Sequence, residues 1–346
     1  MLPAMHRLAL VAVAASIAAL GACGASVSSS SSTDAGSETV DQACGDDAHA
    51  MCGRMQACTP ASLQTSYGDE GTCEARVKAQ CVAAHGAPSS GRTVALTEGC
   101  AQAYPGYACA DYRDKTNIPA SCQQVTGAVA SGAACEFAAQ CMTGYYAILP
   151  GSACGACANA PKDGDSCAAI TSCGSTLVCT SDTLVCTTYA AAGQACGIGK
   201  SCGAGLSCVA PGGTGTAGTC QAAGAQLGAA CDGTAKTAPN CDFAIGLYCN
   251  GKKQCATTTY AAAGMPCGYD ALSGTLVECT AGACEGADAN QHVLGRCAAR
   301  ASDDGACTIG DGGASTANKG CIPSSRCVVS SGATGTCHAV ASDSCQ

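Results

Sequence analysis

Gly193-Gln-Ala-Cys196-Gly-Ile-Gly-Lys-Ser-Cys202-Gly-Ala-Gly-Leu-Ser-Cys208, completed by Cys220, is the stretch from which the architecture is read. It holds four cysteines, a glycine three residues before the first of them, and glycine-rich turns in place of large apolar side chains. The grammar recurs along the chain. Cys167, Cys173, Cys179 and Cys186 precede it; Cys231, Cys241, Cys249, Cys255, then Cys267, Cys279, Cys284, Cys297, then Cys307, Cys321, Cys327, Cys337 follow. Steps between successive groups are nearly constant (10, 11, 12 and 10 residues), whereas spacing inside a group varies. A fixed linker with variable internal loops marks a repeated module whose loop tips tolerate change. The glycine recurs at Gly132, Gly164, Gly193, Gly228 and Gly264, with Asp304 in that place in the last group. Tyr189-Ala-Ala-Ala-Gly193 reappears as Tyr260-Ala-Ala-Ala-Gly264.

Each module is too small to fold on an apolar core, so two bridges per module are expected. Four cysteines allow three connectivities, of which the crossed one, first with third and second with fourth, is taken as the expectation; local structure is expected to be short hairpins and glycine turns. The leading group, Cys135, Cys141, Cys154 and Cys157, is irregular. Where its third cysteine belongs stand Tyr145 and Tyr146, and Tyr146 is read as the replacement. Setting Cys23 aside leaves an odd number of the 34 cysteines, so one thiol has no partner within the chain. The candidates for it are Cys154, an extra or a substitute partner for the lost cysteine, and Cys345, which sits like the first cysteine of a truncated module and competes with the Tyr146 replacement as the source of the odd count.

Composition agrees with a disulfide scaffold. Charged residues are 12% and aromatic residues 3%, Trp is absent and there are two Phe, so cross-links must supply what the core lacks. The net charge of −9 and the lack of a basic patch exclude a nucleic-acid partner.

The region before the modules reads as helical. Cys44, Ala48, Met51, Cys52 and Met55 recur at helical spacing, as do Cys73, Val77 and Cys81, and Thr93–Ala103 predicts a third helix. Two antiparallel helices bring residues of nearly equal index sum face to face. The expected bridges are therefore Cys52–Cys81 and Cys58–Cys73, with Cys44, Cys100, Cys109 and Cys122 closing the remainder in an unassigned order.

At the amino terminus a one-arginine n-region is followed by the apolar run Leu8–Leu20, the length of a signal h-region and too short to span a bilayer. Leu20-Gly21-Ala22-Cys23 resembles the lipobox of bacterial lipoproteins. That resemblance implies cleavage before Cys23 and its acylation; the alternative is an ordinary secretory signal cut near Ala22 or Ala25. The Ser-rich segment that follows, including Ser28 to Ser32, is expected to be a spacer. The expected organisation is a signal at 1–22, lipidated Cys and spacer at 23–41, a helical eight-cysteine domain at 42–126, and about six tandem modules plus a truncated end at 127–346.

The stretch CGDDAHAMCGRMQAC (from Cys44), then YGDEGTCEARVKAQC, resembles the cysteine-rich lipoproteins of myxobacteria. The G-x-x-C starts and the Gly205-Leu-Ser-Cys208 and Gly246-Leu-Tyr-Cys249 third cysteines resemble Dickkopf amino-terminal repeats. The resemblance implies a surface or extracellular module and no chemistry.

Catalytic and cofactor motifs are missing: no nucleophile elbow, no H-E-x-x-H and no phosphate-binding loop occur. Cys154-Gly-Ala-Cys157 is a C-x-x-C without the βαβ context of a redox site, and it reads as structural. Scattered His49, His85, His292 and His338 give no zinc pattern. Asp303-Asp304-Gly305 and Asp311-Gly-Gly313 read as solvated turns rather than calcium ligands. The expected role is a non-enzymatic, lipid-anchored protein of the outer membrane or cell surface. An elongated module array would bind surface proteins, glycans or matrix through Asp232–Asn240, Gly268–Glu278 and Thr308–Gly320. The alternatives are a disulfide-framed inhibitor or decoy of a secreted protein, and an exported thiol oxidoreductase using Cys154 and Cys157.

Overall fold

The computed structural model describes residues 38–345, apart from 149–150, 169–172, 175–176, 181, 214, 271, 289–292, 309–319 and 342–344. The expected signal, Cys23 and the spacer up to residue 37 lie outside the described residues.

Helices come first. α1 (Val40–Cys58), α2 (Pro60–Ser66), α3 (Glu70–Gly86), α4 (Val94–Ala103) and α5 (Cys109–Asp114) follow in order. Three of them start on side-chain caps: Thr39 accepts from the Gln42 N–H, Asp69 from Thr72 and Thr93 from Leu96, which satisfies amide groups left over in the first turn. α1 and α3 pack antiparallel around Ala48, Cys52, Leu63, Tyr67, Cys73 and Val77. None of the helices among the described residues is long and apolar enough to cross a membrane.

The helical hairpin is bridged in a different register from that expected. Cys44 bonds Cys81 and Cys52 bonds Cys73, while Cys58 bonds Cys109 and Cys100 bonds Cys122. Cys52–Cys81 and Cys58–Cys73 are therefore corrected. Both observed hairpin pairs share one index sum, as antiparallel helices require. The register differs because α2 occupies the connection and α3 lies against α1 along its whole length. Cys58, at the last residue of α1, is thereby carried past the start of α3 and meets α5 instead.

Beyond residue 126 the chain forms small, mostly antiparallel sheets on cystine cores. In modules 2 to 6 (from Cys167, Cys196, Cys231, Cys267 and Cys307) the first cysteine bonds the third and the second bonds the fourth. Each third cysteine lies directly across the sheet from the fourth.

The recurrent glycine has a conformational reason. Gly132, Gly164, Gly193, Gly228 and Gly264 all have φ between 77 and 93°, and Asp304, at the same place, has φ 60°. Each donates its N–H to the carbonyl of its module's fourth cysteine, at 2.7–2.9 Å. A left-handed residue there turns the incoming linker back onto the sheet, which glycine does without Cβ crowding and Asp tolerates better than most. A second glycine, two residues before the fourth cysteine, recurs as Gly155, Gly218, Gly295 and Gly335. It faces the first cysteine of its module, and a Cβ there would collide with the adjoining strand.

The modules do not run outward as an elongated array. Module 1 (from Cys135) meets the α3–α4 connection, where Gly91 donates to the Ala139 carbonyl and Gln140 to that of Pro88. Module 3 caps Asp114 through the Ala204 N–H. Module 4 joins α5 by a two-pronged Arg113–Asp242 pair at 2.8 and 2.7 Å. Module 5 donates from Ala281 to the Gln64 carbonyl, and module 6 pairs Asp303 with Arg76. Module 6 then returns to module 1, where Val329 donates to the Gly151 carbonyl. The helices thus serve as a hub, and the Cys154–Cys345 bridge, 191 residues apart in sequence, closes the circuit covalently.

Candidate functional site

Where modules 1 and 6 meet, an extended segment of module 1 places Cys135 and Glu136 beside the strand Gly155–Cys157. Tyr146 stands opposite Cys157, the place that a third cysteine takes in every other module. Cys135, which that cysteine would bond, is the free cysteine among the described residues and is buried. Its Sγ lies 3.4 Å from the Sγ of Cys141, itself bonded to Cys157. Arg326 reaches in from module 6. It donates to the Tyr146 hydroxyl at 3.1 Å and the Glu136 carbonyl at 2.9 Å, pairs with the Glu136 carboxylate, and lies 5.6 Å from the Tyr146 ring centre. Cys345 Sγ sits 2.7 Å from Glu136 Oε2.

These surroundings silence the thiol. Burial first, and the Glu136 carboxylate second, push Cys135 up to about 11, with Arg326 opposing. At neutral pH only about one thiol in ten thousand would be ionised, and the thiolate is the nucleophile in exchange. Glu136 is likewise held above the usual carboxylate range by burial, against the pull of Arg326.

Cys154 and Cys345, expected as candidates for an unpaired thiol, instead bond each other. Sequence spacing cannot anticipate a bridge between the two ends of a circuit. The C-x-x-C does not bridge internally either, since Cys157 goes to Cys141. Between the two cysteines the chain is extended, and side chains three residues apart on a strand point to opposite faces. With Cys154 and Cys157 in separate structural bridges and Cys135 buried, this junction locks the fold and offers no exposed thiol. Asp303 is engaged by Arg76 and Ser325, and residues 311–313 lie outside the described residues.

The accessible chemistry is on loop tips. In module 5 the strands Pro266–Asp270 and Thr275–Cys279 form a hairpin whose tip carries Leu272, 100% exposed. Its base is fixed by Cys267–Cys284 and Cys279–Cys297. The tip is pinned by Asp270, whose carboxylate accepts from the Ser273 hydroxyl at 2.6 Å and the Leu272 N–H at 3.0 Å, while its carbonyl accepts from Gly274. Those hydrogen bonds, the Ser273 one foremost, hold Asp270 below the usual carboxylate range. Module 4 buttresses the hairpin: Tyr248 donates to the Gly274 carbonyl at 2.8 Å and meets Tyr269 edge to face.

A second loop, Asp232–Asn240, is organised the same way. The Asp232 carboxylate accepts from Thr234, Lys236 and Thr237, and these bonds, led by the Thr234 hydroxyl, depress its pKa. Sequence reading picked both loops for their variable length and missed the two aspartates that shape them. The signal was available, because an Asp followed two or three residues later by Ser or Thr favours side-chain-anchored turns. Of the third loop, residues 309–319 lie outside the described residues.

No protein-family model, no curated protein and no solved structure matches the chain.

Proposed function

We propose that the chain is an exported, lipid-anchored, non-enzymatic binding protein of the outer membrane or cell surface, which engages a partner protein, glycan or matrix through its disulfide-framed loops. The observation that carries this reading is the Leu272 hairpin. A fully exposed leucine on a tip held by two disulfides, three hydrogen bonds and a neighbouring tyrosine is already ordered before contact, which lowers the entropy lost on binding. Anchoring rests on the lipobox-like Leu20–Cys23 and the serine-rich spacer behind it. Oxidative export accords with the sixteen bridges among the described residues.

The inhibitor or decoy reading draws on the same hairpin, since a braced convex loop suits the cleft of a secreted enzyme. The oxidoreductase reading is disfavoured by the separate bridges of Cys154 and Cys157 and predicts insulin reduction that Cys154→Ser abolishes. For the leading reading, native membranes are cross-linked and the partners of wild type and Leu272→Asp are compared, with Cys23 examined by mass spectrometry. Loss of a specific partner in the variant and a diacylated Cys23 are expected. An identical partner set together with an unmodified Cys23 would defeat it. Blocked catalysis by the captured partner would select the inhibitor form.

A further inference from the structure

A cavity of about 370 Å³ lies between the helical hub and module 1. It is unusual for this chain. Of only ten Tyr and two Phe in the whole sequence, Tyr67, Tyr104, Phe137 and Tyr146 line it. One buried carboxylate, Asp47 on α1, lines it too. Asp47 is 8% exposed, and its Oδ1 is buried with no hydrogen-bond partner. A buried acceptor left unsatisfied is rare in folded proteins and marks a place where a donor is wanted. Among the remaining lining residues, Gln80, Arg92 and Leu96 are exposed, so the cavity opens to solvent on their side.

We propose that this cavity binds a small organic ammonium ion with an apolar or aromatic body. The Asp47 carboxylate accepts from the ammonium group, and the tyrosine and phenylalanine rings enclose it. Aromatic faces attract cations, and the attraction grows when both partners are out of water. The charge that opposes such a ligand is Arg92. It is exposed, so solvent screens it, whereas Asp47 is buried and screened little. A carboxylate ligand would have the reverse fit, with repulsion where the cavity is deep and weak attraction at its mouth.

The full oxidised protein is titrated by NMR or calorimetry with phenethylamine, and in parallel with benzyl alcohol and 3-phenylpropionate as neutral and anionic comparators. Phenethylamine is expected to bind saturably, and the other two at least tenfold more weakly. Asp47→Asn should weaken the amine about tenfold or more, since a hydrogen bond to a charged group is lost. Arg92→Ala should tighten it a few-fold by removing the like charge, and Leu96→Trp, which fills the mouth, should abolish it. Bridge count by mass and the circular dichroism spectrum check that each variant is folded. If Asp47→Asn does not fold, the direction of the Arg92→Ala change decides. Equal binding of the three probes, no saturable amine binding at millimolar concentration, an unchanged amine affinity in folded Asp47→Asn, or weaker binding in Arg92→Ala would overturn the proposal.

Discussion

Replacing Tyr146 with cysteine should complete module 1. Tyr146 occupies the third-cysteine position opposite Cys157, and Cys135 lies where the first cysteine does in the other modules, whose first-to-third bridges span 12 to 20 residues. Closing a loop of about a dozen residues restricts the unfolded chain by about 3 kcal/mol. Three losses oppose this gain. The tyrosine hydroxyl bond to Arg326 contributes about 1 kcal/mol, the guanidinium over the ring about 0.5–1 kcal/mol, and burial of the ring about 2 kcal/mol. The sums nearly cancel, so thermal stability is expected to change little and the redox count is the sensitive readout. Wild-type and Tyr146→Cys proteins are denatured without reductant, alkylated, digested and analysed by mass spectrometry. The peptide holding Cys135 should carry the label in wild type. In the variant it should be unlabelled and joined to the peptide holding the introduced thiol. Label on both Cys135 and the introduced thiol in a folded variant would refute the assignment of Tyr146 to the third-cysteine place.

Further predictions concern the turn, the hub and the buried carboxylate. Gly193→Ala should destabilise by about 1–2 kcal/mol, because φ 78° suits glycine alone, whereas Asp304→Gly at φ 60° should be neutral or mildly stabilising; denaturant unfolding giving the larger loss at Asp304→Gly would contradict the turn argument. Arg113→Ala should cost about 3 kcal/mol or more, because Asp242, its side chain 9% exposed, would lose its buried partner; a change in unfolding free energy under about 1 kcal/mol would show that the contact between α5 and module 4 is dispensable. Asp47 is pushed up to about 6, by burial foremost, from an unfolded value near 3.8. The folded state therefore holds more protons than the unfolded state between those values. The Asp47 contribution to stability is full below about pH 4, falls by about 3 kcal/mol as pH rises to 6 and is flat above. Asp47→Asn should remove that slope, as measured by unfolding at pH 4 and pH 7, and a slope unchanged in the variant would reassign it to another group.

Local rules made much of this protein legible from its residues. The spacing of Cys167 to Cys337 and the preceding glycines gave the modules, whereas four cysteines leave three connectivities open and the folded hairpins select the crossed one. The Tyr146 substitution was readable from the missing cysteine, and the helices from spacing at three and four residues. All of these depend on interactions across a few dozen residues or fewer. What the tertiary structure alone decided is set by contacts between segments far apart in the chain. The register of α1 against α3 moved Cys58 from Cys73 to Cys109, because packing of the whole helix faces, around Leu63 and Tyr67, outweighs the expected loop length. The union of Cys154 with Cys345, and hence the identity of Cys135 as the leftover thiol, depends on module 6 returning to module 1 around the helical hub. The cavity over Asp47 arises from the same long-range docking, as its walls come from α1, α3, α4 and module 1. Cysteine spacing fixes what each module can close by itself. Where the modules sit is held by single charged pairs in a chain with few charges, Arg113–Asp242 and Arg76–Asp303 between helix and module and Arg326–Glu136 between modules 6 and 1, together with the Cys154–Cys345 bridge, and no periodicity in the sequence connects these partners.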